Sequence, residues 1–363
     1  MTLLRFSFAI LPVFAAVTRL AADPLTLAMS PVGLRDTTLK ALSDTIVATA
    51  YTRPPAYVGK VASGGAASLA VAGSPGWATT RFAYAAGTQS DHFYAVLGAG
   101  PAGTTNPLEG LAYDIVSNTS GGLSLNTGDD LSSVPPGTTV TILPHWTLAT
   151  LFPATDAGAS FVTTTSPLLR RTQILFPDLT AQGINPAASA TFYFYNGAWR
   201  QFGQAVTADY GDTPLPDSSY MIVRNNGPTD LRLRLTGAVS TGKLTRAVDT
   251  LASNLQDNCL STGRPVPVTL SAAGLITSGA LLTSTSALNR KDQLLVFDNT
   301  VAGYNKAAAT TYYYYNGAWR KFGASVTAAF DTDTLAPDAG FILRKASAPG
   351  SPDWTATPAF PTP

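Results

Sequence analysis

The chain has 363 residues, of which 45% are hydrophobic and only 12% are charged, about half the usual share of roughly 25%. Its 23 basic and 22 acidic side chains leave a formal net charge of +1, so there is no overall excess of charge for nucleic acid or an anionic membrane. Two His and one Cys are too few for most zinc sites, which gather three or four ligands. At roughly 100–200 residues per domain, the length predicts two or three domains.

Residues 1–22 have the composition of a cleavable signal peptide. Arg5 precedes an apolar run from Phe6 to Val17 that Pro12 interrupts, and small residues follow. A bilayer span needs roughly 20 apolar residues, so this run is too short and matches the apolar part of an export signal. A buried helix of a cytosolic protein is the alternative. We expect cleavage after Ala22 and export to the periplasm, the outer surface or the medium, with no transmembrane segment after signal removal.

Residues 23–150 are predicted to form a separate N-terminal β domain, either a barrel or a sandwich-like fold. Short segments rich in Val, Ile, Thr, Tyr and Phe alternate with clusters of Gly, Pro, Asn and Asp, which is the pattern of strands joined by tight turns. The segments read YVGKVA, AASLAVA, HFYAVLG, LAYDIVS, GLSLN and TTVTILPHW. The same pattern continues to the end of the chain, so the predicted fold class is all-β.

A duplicated module follows this domain. Residues 163–224 align with residues 283–344 at a constant offset of 120, without a gap, and 29 of the 62 positions are identical. An internal repeat of this length predicts two tandem homologous β-modules. Copy 1 is placed at 151–240, a linker with copy 2 at 241–348, and a Pro-rich tail at 349–363.

The edges of the repeat are less sharply defined than its centre. DNCLSTGRP, beginning at Asp257, is similar to DTIVATAYTRP, beginning at Asp44, so each unit is expected to begin with a similar strand. LRLRLTGAV, residues 231–239, alternates with a period of two and predicts a half-buried strand. Its counterpart SPDWTATPA, residues 351–359, contains two prolines and predicts a shorter strand. Residues 243–255 carry Leu and Val at helical spacing and predict the one longer helix.

Three segments carry a family resemblance: PHWTLATLFP (144–153), DQLLVFDNTVAGYN (292–305) and YYYYNGAWRKFG (312–323). In these segments the chain resembles an uncharacterised family of exported Gram-negative bacterial proteins with a duplicated NGAWR-containing β-module. The resemblance covers the whole mature chain and implies export and β architecture. It implies no activity, and therefore no catalytic residue.

Several acidic residues resemble parts of known sites. Asp331, Asp333 and Asp338 lie in DTDTLAPD, which is similar to an oxygen-ligand loop for calcium. Their equivalents in copy 1 are Gly211, Thr213 and Ser218, so the ligand pattern does not recur and an ordinary turn is favoured. Asp129 and Asp130 in NTGDDLSS are also typical of a turn.

The remaining candidates for catalysis also favour structural roles. Asp178 and Asp298 are equivalent, and a glycosidase would need them to face each other across a cleft between the modules; a capped turn is the simpler interpretation. His92 and His145 lie in strand patterns and are interpreted as structural histidines. The sequence contains no G-x-S-x-G and no P-loop. We therefore predict no catalytic residues, no metal site and no cofactor.

The most prominent motif is an aromatic hairpin that occurs once per module, FYFYNGAWR (192–200) and YYYYNGAWR (312–320). Asn-Gly suits the positive φ values of a two-residue type I′ turn, which pairs Phe194 with Trp199 and Tyr193 with Arg200. One face then carries Phe and Trp and is assigned to the core. The other face is expected to be partly wet, with Arg over a Tyr ring. It is the candidate platform for a ligand or partner, formed by Tyr193, Tyr195, Arg200, Tyr313, Tyr315 and Arg320.

These patterns predict an exported, non-enzymatic structural or adhesive β-repeat protein. A carbohydrate-binding protein that uses the repeated Tyr and Trp hairpins is the alternative, and a glycan hydrolase with a cleft between modules is a second one. The expected partners are an envelope or extracellular polysaccharide or protein, and no nucleic acid.

Overall fold

The computed structural model describes residues 31–153, 163–164, 166–337 and 339–356, and these are almost entirely β-structure. The strands of the N-terminal part are β1 (Val32–Leu39), β2 (Ser43–Val47), β3 (Tyr57–Gly64), β4 (Ser68–Val71), β5 (Phe93–Leu97), β6 (Ala112–Asn118), β7 (Gly122–Leu125) and β8 (Thr139–Pro144). Then come β9 (Thr172–Pro177), β10 (Ala188–Tyr195), β11 (Ala198–Gln201), β12 (Met221–Asn225) and β13 (Leu231–Ala238). The last are β14 (Leu244–Ala247), β15 (Gln256–Ser261), β16 (Val268–Thr269), β17 (Gln293–Val296), β18 (Thr310–Tyr315), β19 (Ala318–Lys321), β20 (Thr334–Leu335), β21 (Gly340–Lys345) and β22 (Asp353–Ala356).

The all-β prediction is confirmed. The helices of the described residues are a 3-10 turn at Leu131–Ser133 and one turn of α-helix, α1 (Leu148–Leu151), which a capping box of Thr147 and Thr150 begins. Neither is long and apolar enough to cross a membrane. The predicted signal segment at 1–22 and the end of the tail at 357–363 lie outside the described residues.

Six strands form a closed barrel in the order β3-β4-β7-β6-β5-β8. Apolar side chains fill it, and a run of edge-to-face rings crosses it from Tyr57 through Trp77 and Phe82 to Phe93, with centroid distances of 4.8, 5.0 and 5.3 Å. Such edge-to-face contacts stabilise the fold beyond the contribution of the buried apolar area itself. The predicted N-terminal barrel is therefore present, with a packed interior.

The first two strands of the described chain belong to a different body from the barrel. β2 is the edge strand of a five-stranded sheet, the first sheet, in the order β11-β10-β9-β12-β2, and β1 pairs with β13 in a two-stranded ribbon. The domain predicted at 23–150 thus supplies strands to two bodies. The barrel is inserted between β2 and β9, two strands that lie in the same sheet.

A second sheet has the same arrangement. Its order is β15-β21-β17-β18-β19, and β14 pairs with β22 in a second ribbon. Read by the offset of 120, β19, β18, β17 and β21 correspond to β11, β10, β9 and β12. β15 takes the place of β2, as the similarity between residues 44–54 and 257–265 predicts. We call each sheet with its ribbon a module.

The predicted helix at 243–255 is wrong. Leu244–Ala247 instead pair with Ala356–Asp353 as the ribbon of the second module. The side chain of Asn258 then holds the following turn, since its Oδ1 accepts from Asp249 N at 2.7 Å and its Nδ2 donates to Asp249 O at 3.0 Å. The segment forms a strand because its pairing partner, about a hundred residues further along the chain, stabilises that conformation, and the local spacing of apolar residues carries no information about so distant a partner.

The last strand begins later than its counterpart, as expected: β22 begins at Asp353, whereas Leu231 and Arg232, the equivalents of residues 351 and 352, already belong to β13. The residues that follow β22 lie outside the described part of the chain. Trp354 fills the core beside it, with its ring 5.6 Å from Phe341 and its Nε1 donating to Ala273 O at 2.6 Å. β13 itself buries Leu233 and Leu235 and exposes Arg232 and Arg234, which alternate with them, as predicted.

The two sheets pack against each other through their outer faces. Between them lies a small apolar layer that draws on β2, β12, β15 and β21 and contains Ile46, Ala48, Tyr220, Cys259 and Ile342. The Tyr220 hydroxyl donates to the Cys259 sulfur at 3.3 Å, and burial raises the pKa of this thiol to about 11. Cys259 is thus a buried, protonated thiol in the interface of the two modules.

A reciprocal pair of ionic clamps borders this layer. In one, Arg224 donates from Nε and Nη2 to the two carboxylate oxygens of Asp44, at 2.7 and 2.9 Å. Asn305 of the second module donates its backbone N–H to the same carboxylate at 2.7 Å, and its side-chain oxygen accepts from Arg224 at 2.8 Å. Asp44 N donates in turn to Gly303 O at 2.9 Å.

The other clamp repeats each contact with the modules exchanged. Arg344 binds Asp257 through two bonds of 2.7 and 2.9 Å. Asn185 of the first module donates its backbone N–H to Asp257 at 2.8 Å, and Asp257 N donates to Gly183 O at 2.9 Å. Such reciprocal contacts are those of an isologous interface, here formed within one chain.

Replacing Asp44 with Ala removes one carboxylate that three donors share. We expect the free energy of unfolding to fall by about 3 to 5 kcal/mol, because Arg224 and the backbone N–H of Asn305 then remain unpaired in a largely buried site. Chemical denaturation measures the loss. Asp257→Ala should behave alike, while Asp36→Ala, which breaks the exposed pair with Arg232 and Arg234, should cost far less. Equal effects of Asp36→Ala and Asp44→Ala would contradict the role of the clamps.

The packing of Tyr220 gives a second test. Its equivalent in the second module is Gly340, and a Cβ at Gly340 would lie 2.2 Å from the Tyr220 ring. Gly340→Ala should therefore destabilise the protein by about 1 to 3 kcal/mol through overpacking. In a double-mutant cycle, Gly340→Ala should cost much less stability when Tyr220 is also replaced with Ala, because removal of the tyrosine ring leaves room for the new methyl group. Additive effects would show that the two positions do not meet.

Candidate functional site

The aromatic hairpins adopt the predicted register in both modules. Phe194 faces Trp199, Tyr193 faces Arg200 and Tyr195 faces Ala198, and the second hairpin repeats these pairs at an offset of 120. Asn196 and Gly197 have φ values of 49° and 74°, the left-handed values that a type I′ turn requires. Trp199 and Trp319 are buried in the cores of their modules, as assigned.

The opposite face is drier than predicted. Of the six candidate platform residues, Tyr193, Arg200, Tyr313 and Arg320 are buried, and Tyr195 and Tyr315 are half-buried. The face is partly wet, as expected, but only through the half-buried Tyr195 and Tyr315 and the exposed Phe202 and Phe322; the other four candidates are not accessible as a platform.

The physical reason is a segment of the same chain that covers this face. Thr164 N donates to Phe194 O at 3.0 Å, and the Arg170 guanidinium lies 5.7 Å from the Tyr193 ring. Arg200 does not stack on a tyrosine but donates to the backbone oxygens of Tyr195 and Ala208. The second module repeats the cover with Arg290 over Tyr313 at 5.7 Å. The cation–π contact was expected, but a different arginine supplies it.

Most of the acidic candidates are turn residues. The Oδ1 atoms of Asp178 and Asp298 accept from the backbone and hydroxyl of Thr180 and Thr300 at 2.6–2.9 Å, which confirms the capped turns. Asp130 caps the 3-10 turn through Ser132 N, and Asp129 accepts from the Tyr113 hydroxyl.

The predicted turn around Asp331 also has ordinary partners. Asp333 accepts from the Tyr312 hydroxyl at 2.7 Å, and Asp331 accepts from Trp319 N. Asp338 lies outside the described residues. Within the described ranges, no group of three or more His, Cys, Asp or Glu side chains is arranged to hold a metal ion.

A cavity of about 600 Å³ lies where the barrel meets the first module. The barrel side comes from β5, β6 and β8, and the module side from the turn after β9 and the loop before β12. The lining residues are Tyr94, Ala112, Tyr113, Asp114, Asn126 and His145 on the barrel side and Pro177, Asp178, Leu179, Thr180, Ser189, Pro214, Leu215, Pro216, Asp217 and Ser218 on the other. We call this cavity the cleft.

A histidine between two carboxylates joins the two walls of the cleft. His145 Nε2 lies 2.9 Å from Oδ1 of Asp114 on the barrel, and its Nδ1 lies 2.8 Å from Oδ2 of Asp217 on the module. The second contact is an ion pair rather than a well-directed hydrogen bond. The remaining oxygen of each carboxylate has no hydrogen-bond partner among the described residues, and both side chains reach solvent.

The two carboxylates set the charge of this group. Burial alone would lower the pKa of His145, but the interactions with the carboxylates of Asp114 and Asp217 outweigh it and raise the pKa to about 9. The bond to His145 lowers the pKa of Asp114. Near neutral pH the group is therefore an imidazolium between two carboxylates, with a net negative charge.

The hydroxyl of Tyr94, at the floor of the cleft, is available to a ligand. Tyr94 is 8% exposed and its ring lies 4.5 Å from that of His145, yet its hydroxyl forms no hydrogen bond to any described residue. Burial, and then the charge of Asp217, raises the pKa of Tyr94, so this group stays a neutral donor. Beside the cleft, His92 stacks on the exposed ring of Tyr84 at 3.8 Å.

Sequence reasoning missed Asp114, Asp217 and Tyr94, and it treated His145 as structural only. Asp114 and Asp217 lie about a hundred residues apart in the chain, so no spacing relates them. One signal was available, since Asp217 is replaced by Pro337 in the second module. A carboxylate present in only one copy does not serve the shared fold.

Comparison with known proteins finds no matching family, no matching curated protein and no matching solved structure. The geometry of the cleft is therefore the basis on which a function can be inferred.

The two histidines of the chain should titrate far apart. NMR should give His145 a pKa of about 9 and His92 one below the usual 6.5, since burial and then the charge on His145 lower it. Because the pKa of His145 is higher in the folded state than in the unfolded state, protonated His145 stabilises the fold fully below about pH 6.5. This contribution is lost as the pH rises towards 9. Asp217→Asn should lower the pKa of His145.

Stability should follow the same titration. Between pH 6.5 and pH 10 the wild-type protein should lose free energy of unfolding that the His145→Gln variant does not lose, as measured by chemical denaturation. The difference should be at most about 3 kcal/mol, because solvent screens the exposed Asp114. A wild-type protein with the same pH dependence as His145→Gln would contradict the ion triad.

Proposed function

We propose that this chain is an exported, non-enzymatic β-protein that binds a hydroxyl-rich ligand, a carbohydrate, in the cleft. The observation that carries the proposal is the pair of carboxylates that His145 holds in place, each with one oxygen free, around a cavity with an unpartnered tyrosine hydroxyl. This location differs from the aromatic hairpins, where the sequence suggested carbohydrate binding.

The groups of the cleft complement sugar hydroxyls. Carboxylate oxygens are strong acceptors that match O–H donors, and the Tyr94 hydroxyl can donate to a ring or hydroxyl oxygen. Asp114, Asp178 and Asp217 together outweigh the charges of His145 and of Arg246, which acts on Asp217 and Tyr94, so an anionic ligand is disfavoured. The cavity size is in the range of small-molecule sites.

The same charges argue for binding rather than hydrolysis. A glycosidase needs one carboxylic acid with a raised pKa to protonate the leaving group. Asp114 has the opposite shift, because the imidazolium of His145 stabilises its ionised form. His145 is already protonated near neutral pH, so it is not available there as a general base.

A structural or adhesive role is the second candidate. Its support is the body formed by two sheets that clamp each other, with a filled barrel attached, which is a rigid arrangement suited to a surface protein. Export, on which both candidates depend, rests on the predicted signal at residues 1–22. Either candidate function implies a location in the periplasm, on the outer surface or in the medium.

Tyr94→Phe tests the cleft most directly, because it removes one hydroxyl and keeps the ring that packs against His145. We expect a screen of neutral mono- and oligosaccharides by saturation-transfer NMR to identify a ligand. Affinity for it should fall about threefold to tenfold in the variant, the usual effect of one lost hydrogen bond. Isothermal titration measures the change.

Tyr220→Phe is the matched control, since that hydroxyl is bound to Cys259 between the sheets, away from the cleft. It should leave the affinity unchanged. A screen without any saccharide ligand, or a ligand whose affinity Tyr94→Phe and Asp217→Asn both leave intact, would overturn the proposal.

A further inference from the structure

Both modules expose the same large apolar side chains next to the aromatic hairpin. Leu168 is 84% exposed and Phe202 is 58% exposed, and their equivalents Leu288 and Phe322 are 92% and 61% exposed. These positions are identical in the two copies, although neighbours such as Leu169 differ. We call each set, with the arginine between its members, an apolar cap: Leu168, Arg170 and Phe202 in one, and Leu288, Arg290 and Phe322 in the other.

The arginine gives each apolar cap a defined shape. In the first module the Arg170 guanidinium lies 4.5 Å from the Phe202 ring, and its Nη1 donates to Pro167 O at 2.8 Å. In the second, Arg290 lies 4.6 Å from the Phe322 ring and donates to Ala287 O at 3.2 Å. The turn that carries the leucine is thereby held against the phenylalanine, so the two apolar side chains project from one built surface.

Cationic residues accompany the apolar side chains. Arg170 and Arg171 occur in the first module and Arg290 and Lys291 in the second, and none of the four has a carboxylate partner within the described ranges. The net charge of the whole chain is only +1, so this is a local concentration of charge. Leu and Phe beside Arg and Lys are the composition of a surface that enters the boundary of an anionic bilayer.

We propose that the two apolar caps dock the protein on an anionic lipid surface. On such a surface the cations would pair with lipid phosphates, and the leucine and phenylalanine would enter the boundary of the acyl chains. A second copy of this chain fits less well, since pairing of like caps would bring arginine against arginine. A soluble polyanion would satisfy the cations but leave the apolar side chains in water. The apolar caps do not line the cleft, so this inference does not depend on the carbohydrate proposal.

Vesicle flotation of the mature chain tests this. The probes are vesicles of phosphatidylglycerol with phosphatidylcholine, and vesicles of phosphatidylcholine alone. We expect binding to the anionic vesicles that weakens with salt, and little binding to the neutral ones. The combined variant Leu168→Ser, Phe202→Ser, Leu288→Ser and Phe322→Ser should lower the partition coefficient about tenfold or more. Arg171→Gln with Lys291→Gln should also lower it on the anionic vesicles.

Val58→Ser with Val116→Ser is the control, because these barrel residues are similarly exposed and lie away from the apolar caps; it should bind as the wild type does. All four exposed cap substitutions should leave the thermal midpoint nearly unchanged, which separates loss of docking from loss of fold. The proposal is overturned if the wild type does not bind anionic vesicles, or if the cap variant binds them equally well. It is also overturned if light scattering shows a dimer that the cap variant abolishes, since the occupant is then a second copy.

Discussion

The arrangement of the molecule depends on two buried carboxylates, Asp44 and Asp257, each shared between an arginine of its own sheet and a backbone N–H of the other module. A buried carboxylate is costly unless a partner and hydrogen bonds compensate it. Here the compensation is complete only when the two modules are together. The sheets are therefore not independent units on a linker, and their relative position is fixed by the same bonds that satisfy the charges.

That constraint also explains where the chain departs from symmetry. Where the two modules meet, the equivalent positions 220 and 340 lie against each other, so two tyrosines would compete for one space; the chain has Tyr220 and Gly340. Away from this contact the copies are free to diverge. The second module buries an ion pair of Asp292 and Lys345, whereas the first has the neutral residues Thr172 and Asn225 at the same positions. Asn225 is satisfied there by the backbone oxygens of Leu39 and Thr229.

The features that sequence reasoning predicted are those that depend on neighbours in the chain. Turn chemistry at Asn196-Gly197 set the register of the hairpin and its core face, and the Asp178 turn followed from a side chain two residues from its donor. The cover over Tyr193 was not predicted, because Arg170 reaches it from an irregular turn without periodicity. The insertion of the barrel was not predicted either, since the partners of β2 lie some 180 residues further on, and only the weak similarity of residues 44–54 to 257–265 pointed to it.

The insertion of the barrel is what makes the two modules unequal in chemistry. Between β15 and β17 the second module has no inserted barrel, and Pro337 stands where the first has Asp217, so the groups of the cleft have no counterpart there. His145 links the barrel to the module through one carboxylate on each side, so a ligand that engages the free oxygens of both also bridges the two bodies. By linkage, formation of the contact between barrel and module then favours ligand binding by the same factor by which the bound ligand favours the contact. Deprotonation of His145 would weaken both, because the bridge then loses the charge that holds Asp114 and Asp217 together.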